Sequence, residues 1–301
     1  MQRIAIVSVG ILVGCGHAAP PPATAPAAAA PAGIVRIEVP TDNGLSDLSL
    51  DDSGGAWVVA ERNASAYRIA LDAAATRVVS IDRVPIDGVP PDTDLEAITW
   101  LGPDRFAIGV EGHAHGAARV YVATLAGGRI TLGQAIELPE ALVGLPIGDN
   151  DGVEGVCGRG DTIFASIESN AKDDQGRWAP IVRIDLAGGA PTVTRLSLTS
   201  DTGKISALSC TIDPDGTGHL QAIERHFKVT HIITAEVPAH AAPDQRLATT
   251  VVRDLADELH FELNLEGLAT LPDGRWLTVV DNQYETITGP NLLVVIGAKA
   301  P

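Results

Sequence analysis

The chain has 301 residues, with 38 Asp and Glu against 21 Lys and Arg, for a formal net charge of −17. A balance of that sign excludes nucleic acid and anionic membrane surfaces as natural partners and favours cations. The length is sufficient for one large core.

Residues 1–15, MQRIAIVSVGILVGC, place one cation, Arg3, ahead of an apolar run from Ile4 to Val13. That is the pattern of a secretory signal, and the run is too short to span a bilayer comfortably. Its end, Leu12-Val13-Gly14-Cys15, resembles the lipobox of bacterial lipoproteins, which implies that Cys15 becomes the lipidated first residue of the mature protein. A non-lipidated signal or a short membrane anchor is the competing reading. Gly16 rather than Asp after the cysteine implies sorting to the outer membrane. The chain is therefore expected to be exported and to meet a membrane only through its lipid. Residues 16–33 are almost entirely Ala and Pro, cannot bury a core, and read as a tether. The folded domain is expected over residues 34–301.

Within it, one pattern recurs five times. An anchor residue opens an apolar run, a tight turn follows, and a second apolar run ends on an acid. The stretches are LSDLSLDDSGGAWVVAER from 45, LEAITWLGPDRFAIGVEG from 95, VEGVCGRGDTIFASIES from 153, ISALSCTIDPDGTGHLQAIER from 205 and LEGLATLPDGRWLTVVDN from 265. The anchors Ser46, Glu96, Glu154, Ser206 and Glu266 are 50, 58, 52 and 60 residues apart. The closing acids Glu61, Glu111, Glu168, Glu224 and Asp281 follow their anchors by 15, 15, 14, 18 and 15 residues. A third run continues each unit (AYRIAL, RVYVATL, PIVRIDL, HIITAEV, NLLVVIG), and a fourth closes all but the last (TRVVSIDRV, ITLGQAIEL, TVTRLSL, ATTVVRDL). The runs are short, rich in β-branched residues and bounded by Gly, Asp and Pro, the signature of strands. DLADELHFEL, inside a loop, is the one fair helix candidate. Four strands in about 55 residues is the size of a propeller blade.

The fold class is accordingly all-β: a β-propeller of five four-stranded blades. The strand GIVRIEVP before the first unit supplies the missing outer strand of the fifth blade, closing the ring and removing an exposed edge. A sixth blade would need sequence that the long loops do not supply. Cys157 and Cys210 fall in equivalent strands of neighbouring units and read either as a disulfide in an exported protein or as two buried thiols.

In a propeller the first strand of each blade lines the central channel, so all five anchors and closing acids share one face. The long connections IDGVPPDTD, PEALVGLPIGDNDG, NAKDDQGRWA and DNQYETITGP lie there too, and long ordered loops tend to carry function. Glu96, Glu154 and Glu266 are expected at the channel mouth. Glu61, Glu111, Glu168, Glu224 and Asp281 stand one step further out, and Asp92, Asp94, Asp149, Asn150 and Asp151 precede the anchors. Two carboxylates ~6 Å apart repel by roughly 3 kcal/mol at an effective dielectric of 20. Such a ring must be protonated, paired or neutralised by a cation, and oxygen ligands without cysteine favour a hard ion, Ca²⁺ above all. The competing reading is that strand-end acids bond backbone amides and set loops. His113 and His115 form a lone His-x-His, which reads as a solvated loop rather than a zinc site. Arg62, His113, Lys172, Arg225, His226 and Lys228 interleave with the acids. Arg62, His113, Arg225 and His226 are the candidates to hold an anionic substrate. No nucleophile elbow, phosphate-binding glycine loop or serine protease signature is present.

The units LEGLATLPDGRWLTVVDNQ, GVEGVCGRGDTIFASIESN and KISALSCTIDPDGTGHLQAIERHFK resemble the phytase-like propeller family, described as having esterase-like activity. The resemblance covers Gly44 to about Gly297 and rests on repeat texture and on the Ile-Ser and Glu-Gly openings. More distantly, a glutamate opening an inner strand is similar to the metal-binding Glu-Gly-Pro of calcium-dependent lactonase and phosphotriesterase propellers, which carries a ligand role to Glu96, Glu154 and Glu266. The proline is replaced here by Ile98, Val156 and Leu268, and Ser46 and Ser206 stand for glutamate in two blades. The expectation is a Ca²⁺-dependent ester or phosphoester hydrolase acting on a small molecule. The alternative is a non-catalytic cell-surface propeller that binds a ligand or an envelope protein. No catalytic base is assigned.

Overall fold

In the computed structural model, residues 33–42, 44–112, 117–148, 151–226, 228–259, 263–282 and 289–297 are described. The signal segment, nearly all of the tether, His113, His115, Asp149 and Asn150 lie outside them. The fold is the all-β propeller that the repeat predicts. After β1 (Ile34–Val39) come β2 (Leu45–Leu50), β3 (Ala56–Ala60), β4 (Ser65–Leu71) and β5 (Val78–Asp87), each antiparallel to the next. A second meander follows with β6 (Thr93–Gly102), β7 (Arg105–Gly112), β8 (Ala117–Ala126) and β9 (Arg129–Pro139), then a one-turn helix, α1 (Glu140–Val143).

The third group is β10 (Val153–Arg159), β11 (Thr162–Ile167), the short β12 (Ala171–Asp173), β13 (Gly176–Asp185) and β14 (Thr192–Ser197). The fourth is β15 (Lys204–Ile212), β16 (Gly218–His226), β17 (Val229–Val237), β18 (Arg246–Leu247) and β19 (Thr250–Asp254), followed by α2 (Ala256–Leu259). The last is β20 (Asn264–Thr270), β21 (Trp276–Asp281) and β22 (Asn291–Ile296), with β1 paired on β22 from Ile34↔Ile296 to Val39↔Asn291. The N-terminal strand thus closes the ring. Three short elements inside connections escape the sequence pattern: α1, β12, which doubles back on β13, and β18, which runs parallel to β14 of the preceding group.

The inner strands β2, β6, β10, β15 and β20 neighbour one another in a closed cycle. Five apolar cores fill the spaces between adjacent groups. Leu48 and Val58 pack with Leu277 and Val279, Trp57 and Val59 with Ile98 and Phe106, and Ala107 and Val120 with Val156 and Ile163. Phe164 and Ile181 pack with Leu208 and Leu220, and Ile223 and Ile232 with Leu265 and Val280. Inner and second strands such as β2, β3, β11 and β20 are buried on both faces and read as continuous apolar runs, whereas outer strands such as β5 and β9 alternate with exposed positions. A disulfide joins Cys157 of β10 to Cys210 of β15, with Cα atoms 5.6 Å apart.

All five inner strands carry a register irregularity near their start: at Ser46/Leu48, Leu95/Ala97, Val153/Gly155, Ile205/Ala207 and Glu266/Ala269. A bulge adds a residue to one strand and re-aims its side chain. The Glu-Gly dipeptides follow from the crowding at this level. A Cβ on Gly155 would stand 2.7 Å from the Leu208 nitrogen, and one on Gly267, at φ +69°, 2.4 Å from the Leu48 nitrogen. At these two positions only glycine avoids a clash with the backbone of the neighbouring inner strand.

Candidate functional site

The bulges bring the anchors to one end of the channel, and strand register decides which residues join them. Asp94 pairs with Glu111, Lys204 with Arg225 and Asn264 with Asp281. The amides of Glu61 and Glu168 donate to the carbonyls of Gly44 and Gly152, at 2.9 and 3.1 Å. The outer tier is therefore Glu61, Glu111, Glu168, Arg225 and Asp281.

This corrects the sequence reading at one position: Arg225, not Glu224, occupies the mouth in the fourth blade. Successive residues of a strand face opposite sides, so Glu224 is turned away and fully buried. Its carboxylate accepts from the backbone N and side-chain hydroxyl of both Thr199 and Ser200, at 2.6–3.0 Å. That is the loop-setting role and leaves no room for a metal.

The remaining acids fall into two arcs. On the second and third blades, Asp94, Glu96 and Glu111 form one triad and Glu111, Glu154 and Glu168 another, with one carboxylate oxygen from each within 4.8 Å of the others. Glu154 is only 8% exposed and has no hydrogen bond or ion pair among the described residues. Burial and the charges of Glu154 and Asp94 push the Glu111 carboxyl up to about 8. Burial and the charges of Glu154, Glu61, Glu111 and Glu266 raise Glu96 well above the carboxylate range. Burial raises Glu154 too, against the pull of Lys204 and Arg225.

The other arc satisfies itself: Arg225 Nη2 donates to Glu266 Oε1 at 2.9 Å, and Asn264 Nδ2 donates to Asp281 Oδ2 at 2.7 Å. Within the first arc, Lys204 pairs with Glu168. Ser46 Oγ lies 2.9 Å from the Glu96 carbonyl and 3.1 Å from its Oε2. Ser206 Oγ donates to the Leu265 carbonyl at 2.9 Å. Glu61 is raised to about 8 by burial and then by the Asp281 charge and a hydrogen bond to Asp281, so Glu61 is the protonated donor of that pair. Glu266 reaches about 8 through burial, despite Arg225.

The predicted substrate cations are not equivalent. Arg62 stands 3.7 Å from Asp94 and is half exposed. His226, lowered by burial and by the Lys204, Arg225 and Arg177 charges, is neutral at pH 7. His113 lies outside the described residues. Lys204, which the sequence reading did not single out, joins Asp151, Glu168, Ser169 and Asn170 in lining a recess of about 340 Å³ beside the second triad.

Asp47 was also missed. It follows anchor Ser46, where the other blades have Ala or Gly, and it is fully buried with φ +36°. Its carboxyl accepts from the amides of Leu48 and Ile98 at 2.8 and 2.9 Å. It thus ties two neighbouring inner strands together beneath the acids. Burial, ahead of any charge, raises its pKa. The signal available in sequence was an acid at an anchor-plus-one position otherwise given to Ala or Gly.

The donor set is all carboxylate oxygen, partly neutralised, with one buried carboxylate unpartnered. That chemistry fits a hard divalent cation. The Phytase-like family, described as esterase-like activity of phytase, matches residues 40–284. The chain belongs to this family. No curated protein matches it. Among solved structures, a putative oxidoreductase (glucose dehydrogenase) from Thermus thermophilus is 9% identical with a TM-score of 0.46, covering 87% of this chain and 99% of that one. The calcium structure of a Trichoderma reesei carbohydrate-active enzyme of family AA12 is 11% identical with a TM-score of 0.43, covering 91% and 98%. The Dos1 propeller is 11% identical with a TM-score of 0.38, covering 87% and 69%.

Proposed function

We propose that this phytase-like propeller is a metal-dependent hydrolase of ester or phosphoester bonds that works at the acid mouth with Ca²⁺. The observation that carries the reading is the pair of carboxylate triads sharing Glu111, with the buried carboxylate of Glu154 unpartnered between them. Glu96, Glu111, Glu154 and Glu168, with Asp94, would hold the ion. When bound, it supplies Lewis-acid polarisation of the substrate oxygen. The chain's own residues do the rest. Lys204 and Arg225 border the triads and attract an anionic substrate group. A ring carboxylate that does not hold the ion would take a proton from the attacking water. Residues 1–15 support export, and Cys15 supports lipid anchorage to the bacterial outer membrane. Ile34 enters at the channel end opposite the acids.

Hydrolysis of p-nitrophenyl esters and p-nitrophenyl phosphate by chelator-treated and calcium-restored protein tests the reading. Turnover should appear only with calcium, vanish in Glu111→Gln and Glu154→Gln, and persist in Glu224→Gln. Calcium binding without turnover of either substrate class would replace the hydrolase with a non-catalytic binding propeller. Turnover indifferent to chelation would remove the metal from the account.

A further inference from the structure

Two positions beyond each anchor the inner strands place Leu48, Ile98, Val156, Leu208 and Leu268, each at most 1% exposed. Each belongs to a different core between neighbouring sheets, and beyond this level, at the end of the channel away from the acids, lies a second cavity. That cavity measures about 740 Å³ and is lined by residues of all five inner strands, a volume in the range of small-molecule sites.

Its chemistry differs from that of the mouth. The charged groups on its rim have opposite partners: Arg159 is 2.7 Å from Asp52, and His219 is 2.9 Å from Asp213 and 3.9 Å from Glu236. Arg159 is matched by Asp52 and His219 faces two carboxylates, so no unmatched cation is left among these rim groups to hold an anion. One wall is the half-buried indole of Trp100, fixed by Phe106 edge-on at 5.1 Å and by stacking on Trp57 at 6.4 Å. Its Nε1 is buried without a hydrogen-bond partner. Opposite stands Gln221, whose side-chain oxygen accepts from Thr270 Oγ1 and from Trp276 Nε1, both at 2.9 Å. An indole only donates, so the oxygen end is fixed and the amide's two N–H donors point the other way. Ser209 and Thr211 add hydroxyls that both give and accept hydrogen bonds.

An apolar ligand would strip water from these polar groups without replacing its hydrogen bonds, which is costly. A ligand with one C–H face and a rim of hydroxyls meets both demands. The C–H face packs on the negative face of the indole, and the hydroxyls exchange bonds with the amide and side-chain hydroxyls. We propose that the far cavity is a second ligand site that takes a neutral saccharide, stacked on Trp100 and hydrogen-bonded by Gln221, Ser209 and Thr211. The site is independent of the cation at the mouth.

Titration calorimetry and tryptophan fluorescence with a panel of glucose, galactose, maltose, cellobiose and maltotriose test this, with chelator and with calcium. Saturable binding of at least one sugar is expected, unchanged by chelation and by Glu154→Gln. Weakening of roughly tenfold or more is expected in both Trp100→Ala and Gln221→Leu. Circular dichroism and the melting temperature report folding, and Gln221→Leu keeps the test decisive if Trp100→Ala does not fold. Absence of saturable binding across the panel, binding that survives Gln221→Leu, or binding lost with calcium would overturn the proposal. The last of these would move the sugar to the acid mouth and leave the hydrolase reading standing.

Discussion

The two ends of the central channel are built from the same five strands, a few residues apart, yet they hold opposite chemistry. At the mouth, bulges turn glutamates inward and the register adds Glu61, Glu111, Glu168 and Asp281 around them. The buried acids are pushed toward their neutral forms, and Lys204 and Arg225 oppose them from the fourth blade. At the far end the same strands offer hydroxyls, an indole and a disulfide, β16 adds an amide, and the rim cations Arg159 and His219 are each matched by acids. The comparison shows how a repeat specialises. The backbone fixes where side chains converge, and different residues at each level give the two ends their chemistry.

Breaking the far end should therefore cost stability and spare the mouth. Replacing Cys157 and Cys210 together by Ser opens a link across 53 residues and is expected to lower stability by roughly 4 kcal/mol on the chain-entropy account. A urea midpoint reads the loss, and calcium affinity should stay put. A slightly smaller effect is expected from the core between the first two sheets. Ile98→Ala leaves a void at a fully buried position and should cost about 3 kcal/mol, with calcium affinity kept because the backbone amide that donates to Asp47 remains.

Asp47 sharpens the comparison from between the two ends. Asp47→Ala should cost ~1–3 kcal/mol by orphaning the Leu48 and Ile98 amides. Asp47→Asn keeps one acceptor but sets its NH2 against the other amide N–H, so it should recover only part of that loss. Equal losses in both variants would mean that both carboxyl oxygens are needed.

A subtler difference lies in pH. Glu61, Glu111 and Glu266 have folded-state values raised to about 8, against an unfolded value near 4.3. The folded state then binds more protons between those limits. Stability of the chelated protein should be full below the unfolded value and fall as pH rises through about 8. Calcium takes the place of those protons, so its stabilising effect should be larger at pH 8 than at pH 5. Melting curves across that range, with and without chelator, read both trends.

Much of this was legible in the sequence because repetition multiplies weak signals. Five copies of anchor, turn and acid fix the strand order, the face and the closing strand, although each copy alone is ambiguous. Glu96, Glu154 and Glu266 were legible for the same reason. Glu224 was not, because the turn from Asp213 to Thr217 lengthens the hairpin. An acid near the expected distance then faces the wrong side, while Arg225 takes the place. Asp47 was hidden because the copies were aligned on residue type, whereas the bulge in β2 falls one residue later than in β6. The far cavity left no motif: its wall combines single residues from different units, and only the closed ring brings Trp100 and Gln221 to one space.

The central claim is that the mouth holds a hard cation on Glu111 and Glu154. Calcium titration of chelator-stripped protein, followed by melting temperature in the wild type and in Glu154→Gln, tests it most directly. Binding to the folded state alone adds ~2.7 kcal/mol at 100 times Kd. A saturable rise in the wild type that is absent from Glu154→Gln is the predicted result. A flat titration, or an equal rise in both proteins, would contradict the account and leave the acids as groups that set the loops of the propeller.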